Sequence, residues 1–378
     1  MVIVHRITLT MAAALVCVRS AGAQNVHSLD DSQARLFLRY LAAVAAHRPA
    51  TALVDSVMAA KGTALVIAQQ NLSRRVSTAE YREVLAAAAE HREPRFSASD
   101  NDPRAAKGRD GLLQDVLPCI EWGAANVATL SSELTALHGA NPGARARSLA
   151  LGNLPDSVSI DVPMFLVMGG RAGAAAPSGG IYFDVLTTSC RAPRRVLTAE
   201  SVTEYFAHEM HHVGLEQIIE RREQTLHFDS ASRRAMELLH GLVMEGSASY
   251  LINGHRDLAA MRRDPAFAAP GTDRERMELV ERILSGVLEG HWTAAQFDEA
   301  MTGLSGNALH ITGAEMLDAI WQAMGRDAVM AVLEDPRLLL ARYDDSVRTR
   351  PGAFRFSSGL ARRVARLGEW REPRRPAP

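Results

Sequence analysis

His208 and His212 stand four residues apart, and Glu209 directly follows the first. On a helix that spacing stacks both imidazoles on one face, one turn apart. Two neutral imidazoles supply half of a tetrahedral zinc site, and a carboxylate beside the first can take a proton from a zinc-activated water. A third protein ligand is then required. Glu216 lies one further turn along the same face, but at ~1.5 Å per residue it is about 12 Å from His208 along the axis, too far for one ion. Glu237, His240 and Glu245 follow in the chain. Glu245 is the candidate, because Gly246, Ser247, Ala248 and Ser249 come after it and let two helices approach closely. Ser249, one turn on, is placed to hydrogen-bond a ligand imidazole as its outer partner. His211 fills a wild-card position of the HExxH pattern and is assigned no ligand role.

These residues need two helices to hold them. Thr198 or Ser201 can cap the first, with Ser201 and Glu204 in capping-box spacing. Val202, Tyr205, Phe206, Met210, Val213, Leu215, Ile218 and Ile219 then form a broad apolar surface, with no Gly or Pro before Gly214. The second helix is expected from Asp229 or Ser230 to about Ile252, ending at Asn253-Gly254.

The pair of motifs, His208-Glu209-Met210-His211-His212 and Glu245-Gly246-Ser247-Ala248-Ser249-Tyr250, resembles the gluzincin metalloproteases. More narrowly it resembles a bacterial family of predicted zinc-dependent proteases with HExxH followed by EGxAxY. The metzincin pattern is excluded, since Leu215 and Ile218 stand where its glycine and third histidine would fall. The resemblance is expected to span about residues 30–345, and only the two motifs are specific. It implies a zincin-like fold, Zn2+ held by His208, His212 and Glu245, Glu209 as general base, and a peptide or protein substrate. Several gluzincins carry Asp four residues after the ligand Glu, where it orients a histidine; here Ser249, a neutral and weaker partner, occupies that place. The family region that often reads Tyr-x-x-Gly has His310 three residues before Gly313. The resemblance implies that a donor there faces the oxyanion of the intermediate. It also implies that a strand ahead of the HExxH helix pairs with extended substrate.

The rest of the chain reads as mainly α, of the α+β kind: a helical protein with a small sheet ahead of the zincin-like helix and a helical C-terminal subdomain. At 378 residues, 47% hydrophobic and 22% charged, it can bury a sizeable core. A net charge of -1 without a basic stripe excludes nucleic acid as an expected partner. Residues 1–23 read as a signal peptide: His5 and Arg6, an apolar run from Ile7 to Val18, and the small-residue site Ala21-Gly22-Ala23. That run is too short to span a membrane. The expected location is periplasmic or extracellular. Cleavage leaves Cys119 and Cys190, which either pair as a disulfide or stay as separate buried thiols.

The expected organisation is an N-terminal helical region at 24–150, a catalytic domain at 151–345, and a C-terminal helix with a disordered tail at 346–378. Helices are expected at Leu29–His47, Ala52–Gln70, Thr78–His91 and Ala124–Leu137, with a loop from Ser97 to Gly111. Val158–Met168 and Ile181–Leu186 read as strands joined by a mobile Gly-rich connection, and Pro163 argues for an edge position of the first. Beyond the second motif, helices are expected at Thr272–His291, Ala294–Leu304, Gly313–Met324 and Asp327–Leu333, with a break over Asn307–Gly313. A non-catalytic zinc- or peptide-binding protein of the same fold is the alternative reading.

Overall fold

The structure, a computed structural model, describes residues 29–369 except 72–73, 98–101, 178, 193–196 and 305. The expected signal peptide and all of the tail beyond Glu369 lie outside the described residues. Contacts divide the chain into two compact units, one from residues within Ile7–Leu149 and Ile160–Met210, the other from Ala150–Ser159 and His211–Pro378.

The first unit surrounds a small sheet. Strands β1 (Leu29–Asp30), β2 (Met164–Val167), β3 (Ala174–Ala175) and β4 (Ile181–Asp184) lie in the order β1-β2-β4-β3. β2 runs parallel to β1 and β4, with Met164 opposite Ile181, and β3 is antiparallel to β4, with Ala174 opposite Phe183. Every residue of β2 and β4 is buried, as expected of parallel strands covered on both faces. Three expectations change here. β2 is an interior strand, and Pro163 precedes it, its carbonyl accepting from the Ile181 N–H. The Gly-rich connection contains β3. Among the described residues the edge strands are the short β1 and β3, because both sides of β2 and β4 are already paired.

Helices α1 (Ser32–Ala45), α2 (Thr51–Ala59), α3 (Lys61–Gln70) and α4 (Thr78–Ala89) come next in the chain. The expected single helix over 52–70 is two helices bent by 76°. Ala60 is extended at φ -72° and ψ 140°, and the Val57 carbonyl accepts from both the Ala60 N–H and the Thr63 hydroxyl at the break. Gly62 then meets Gln33 and Val167 so closely that an added Cβ would lie 2.8 Å from each. Helix α4 starts with a full capping box of Ser77 and Glu80. The expected loop up to Gly111 instead holds α5 (Pro103–Gly111), started by Asp102 as N-cap and Pro103 in its first turn. A π-helical turn, Leu112–Val116, leads into α6 (Leu117–Ala125). Asn126 separates it from α7 (Val127–Ala140), and α8 (Pro142–Leu151) follows.

After β4, buried Asp184 caps α9 (Val185–Arg191) by accepting from the Thr187 N–H, and it also accepts from the Gly170 N–H. Burial pushes its carboxyl up to about 7 against those bonds. Cys190 on α9 is bonded to Cys119 on α6. Removing the bridge is expected to cost about 4 kcal/mol, the chain-entropy value for a loop of 71 residues. Urea unfolding with and without reductant measures it, and coincident midpoints would refute the constraint.

Helix α10 (Ala199–Glu223) carries the first motif. Thr198 and Ser201 exchange hydrogen bonds at its start, and Thr198, the first of the two expected caps, accepts from the Ser201 N–H. Within the first unit, Phe183 of β4 packs against Tyr205 and Phe206 of α10, at ring separations of 5.4 and 6.3 Å. The sheet thus seats the start of the motif helix.

The second unit is helical: α11 (Ser230–Ser247) with Asp229 as N-cap, a π-helical turn at Ala248–Asn253, α12 (Leu258–Arg263), α13 (Asp273–Leu288) with its Thr272–Glu275 capping box, and α14 (Ala294–Gly303). Then come α15 (Asn307–Met324), α16 (Arg326–Glu334), α17 (Leu339–Ser346) and α18 (Ser358–Val364). The expected break over 307–313 is helical, so α15 begins at Asn307 and His310 lies in its first turn. Helix α15 is the central strut. Its buried Glu315 accepts from Arg276 of α13 at 2.9 Å and from Arg262 of α12 at 2.8 Å. Its Asp318 accepts from the hydroxyl of buried Tyr250 at 2.7 Å.

Candidate metal centre

Two glycines bring α11 and α15 together. A Cβ on Gly313 would lie 2.0 Å from the Leu242 carbonyl oxygen, and one on Gly246 would lie 2.4 Å from the Gly313 Cα. The small residues after Glu245 thus serve a backbone-to-backbone crossing with α15. That crossing places Glu245 beside His310, with Glu245 Oε2 3.4 Å from His310 Nε2. The Ser249 hydroxyl lies 2.7 Å from His310 Nδ1. Ser249 therefore contacts a histidine, but it is His310 and not an imidazole of the HExxH motif.

The end of α10 and helix α11 run antiparallel, tied by two His–Glu contacts. His212 Nε2 lies 3.4 Å from Glu245 Oε2, and His240 Nε2 lies 3.3 Å from Glu223 Oε1. In the second contact burial pushes His240 down to about 4 and pushes the Glu223 carboxyl upward. His240 is thereby occupied away from the motif. Glu237 precedes Glu245 by two turns, about 12 Å along the helix, and burial raises its carboxyl.

His208 stands one turn before His212 on the same continuous helix. His208, His212 and Glu245 each offer a ligand atom within 4.8 Å of the others, and no other such group occurs among the described residues. Metal–ligand bonds of about 2.0–2.2 Å in a tetrahedron require ligand atoms about 3.3–3.6 Å apart. The 3.4 Å between His212 and Glu245 matches that edge. Two imidazoles and one carboxylate, each half-buried, form a donor set suited to zinc with one position left for water or substrate.

A family model described as "Putative zinc dependent peptidase (DUF5700)" matches residues 54–351. The chain belongs to this family. Zinc is the cofactor that the family description names, and both motifs of this member fall inside the matched span. Comparison with curated proteins and with solved structures found no match.

Three features of this zinc-dependent peptidase family member escape a reading of the sequence. Gly313 is the counterpart of Gly246, Ser249 pairs with His310, and Tyr182 of β4 is a buried neighbour of Glu209. Burial pushes the Tyr182 phenol well up, and the charges of Asp184 and Glu209 push it the same way. A β-like run between Gly and Pro clusters marks Tyr182 as strand, but nothing local connects it to a helix that follows later.

Proposed function

We propose that this chain is an exported zinc metallopeptidase whose metal is held by His208, His212 and Glu245. The convergence of those three side chains within 4.8 Å carries the reading, and the zinc-dependent peptidase family supports it. Zinc, when bound, polarises the scissile carbonyl and brings the pKa of water toward neutrality. Glu209 takes the proton of the attacking water and passes it to the leaving amine, as base and then acid. His310, beside Ser249, turns Nε2 toward Glu245; it either steadies that carboxylate or donates to the oxyanion of the substrate. The Cys119–Cys190 bridge supports export to an oxidising compartment, periplasmic or extracellular. Among the described residues no single helix is long and apolar enough to cross a membrane.

The test is zinc per chain in the purified protein, measured beside Glu245→Ala. About one zinc in the parent and far less in the variant is expected. Equal zinc in both would remove Glu245 from the site. A second reading, zinc or peptide binding without turnover, is favoured by Ser249 standing where gluzincins carry an acid; it predicts full zinc and no cleavage of any peptide library.

A further inference from the structure

Arg74 is the most unusual charge in the first unit. It is 3% exposed, and its Nε and Nη1 are buried without a hydrogen-bond partner among the described residues. Among the described residues its ion pair is a long one, Nη1 to Asp115 Oδ2 at 3.9 Å. Asp115 is already engaged, since Arg171 Nε reaches Oδ2 and Arg191 Nη2 reaches Oδ1 at 3.1 Å. Burial pulls the Arg74 guanidinium below its ordinary range, and the charge of Arg171 adds to that more than Asp115 opposes it. Lys107 is pulled down as well, by burial and then by Arg74 and Arg171. A guanidinium cannot escape by losing its proton, so its buried N–H groups call for an acceptor.

The geometry points to a binding site for a divalent tetrahedral oxyanion, of the phosphate or sulfate class, formed by Arg74, Arg171 and Arg191 around Asp115. Guanidinium forks match tetrahedral oxygens in pairs, and several donors converging on one anion give both charge and shape selection. Asp115 supplies one negative charge to this group of cations. A divalent anion balances the cluster better than a second carboxylate. Exposure rises outward from Arg74, with the side chain of Arg171 at 26% and that of Arg191 at 47%. Gly111 makes the arrangement possible, because a Cβ there would lie 1.4 Å from Arg74 Nη1. The bound anion would tie the turn before β3 to the end of α9 and to the π-helical turn that carries Asp115. This inference is independent of the zinc reading.

Calorimetric titration of the full zinc-loaded chain with inorganic phosphate, and separately with sulfate, tests the site, with sodium acetate at equal ionic strength as the monovalent control. Saturable binding of a divalent anion, absent with acetate, is expected, and the tighter of the two names the ligand. Arg171→Gln and Arg191→Gln, at partly exposed positions, should each weaken it roughly tenfold. Gly111→Ala keeps every charge and displaces Arg74 Nη1, so it should weaken binding too, while Glu245→Ala should not. Circular dichroism checks that each variant is folded. No saturable binding, equal affinity in the folded arginine variants, or loss in Glu245→Ala would each overturn the site.

Discussion

Glu209→Gln is expected to keep one zinc per chain and to lose about 10²–10⁴-fold in peptidase turnover, the usual worth of a general acid–base group. The amide has nearly the shape of the carboxylate but cannot take a proton at neutral pH. Position 209 is outside the set of converging ligand atoms, so zinc content should be unchanged. Tyr182, whose phenol the charge of Glu209 helps push upward, is fully buried and neutral at working pH with either residue at 209. Two measurements on one preparation decide it: metal content, and cleavage of a quenched peptide or casein. Parent-level cleavage would remove Glu209 from the chemistry. Loss of zinc along with activity would make Glu209 a structural partner of the metal site.

The parts of this centre that are local in sequence could be read from it. The four-residue spacing of His208 and His212 needs only a helix, and α10 provides one. Capping signals at Ser77–Glu80 and Thr272–Glu275 fall where helices start, since a cap is a bond between residues three apart. The start of α5 is equally local, with Asp102 and Pro103 in capping order, but the polar Asp, Asn, Pro and Gly content of 97–111, Gly108 and Gly111 included, reads as a loop. Those glycines serve close approach instead: a Cβ at Gly108 would lie 2.0 Å from the Arg75 carbonyl oxygen. The break at Ala60 and the unbroken start of α15 were not legible, because the packing partners are distant in the chain. Gly62 answers to Val167, and Ser249 answers to His310 across 61 residues. The preference for Glu245 over Glu237 as the expected ligand rests in the sequence on small neighbours alone. Those neighbours proved to face α15.

That crossing sets the second large expectation: Gly313→Ala should destabilise the second unit by about 3 kcal/mol and weaken zinc binding with it. Alanine is the better helix former by about 1 kcal/mol, so an open helical glycine gains from this change. Gly139 of α7 is such a site, with nothing within 4 Å of an added Cβ, and Gly139→Ala should raise stability slightly. At Gly313 the same methyl would lie 2.0 Å from the Leu242 oxygen and 2.8 Å from the Gly246 Cα. Both are backbone atoms, so no rotamer change relieves the clash and the helices must separate. Van der Waals contact between a methyl and a carbonyl needs well over 3 Å, so a shift on the order of 1 Å is required. Glu245 is next to Gly246, and His310 lies three residues before Gly313 on the same face. The shift therefore falls on the 3.4 Å contact between them and on the carboxylate expected to grip the metal. Thermal unfolding with and without zinc, for both glycine variants, reads the two effects together. A Gly313→Ala protein as stable as its parent, binding zinc as tightly, would mean that this crossing does not position the ligand.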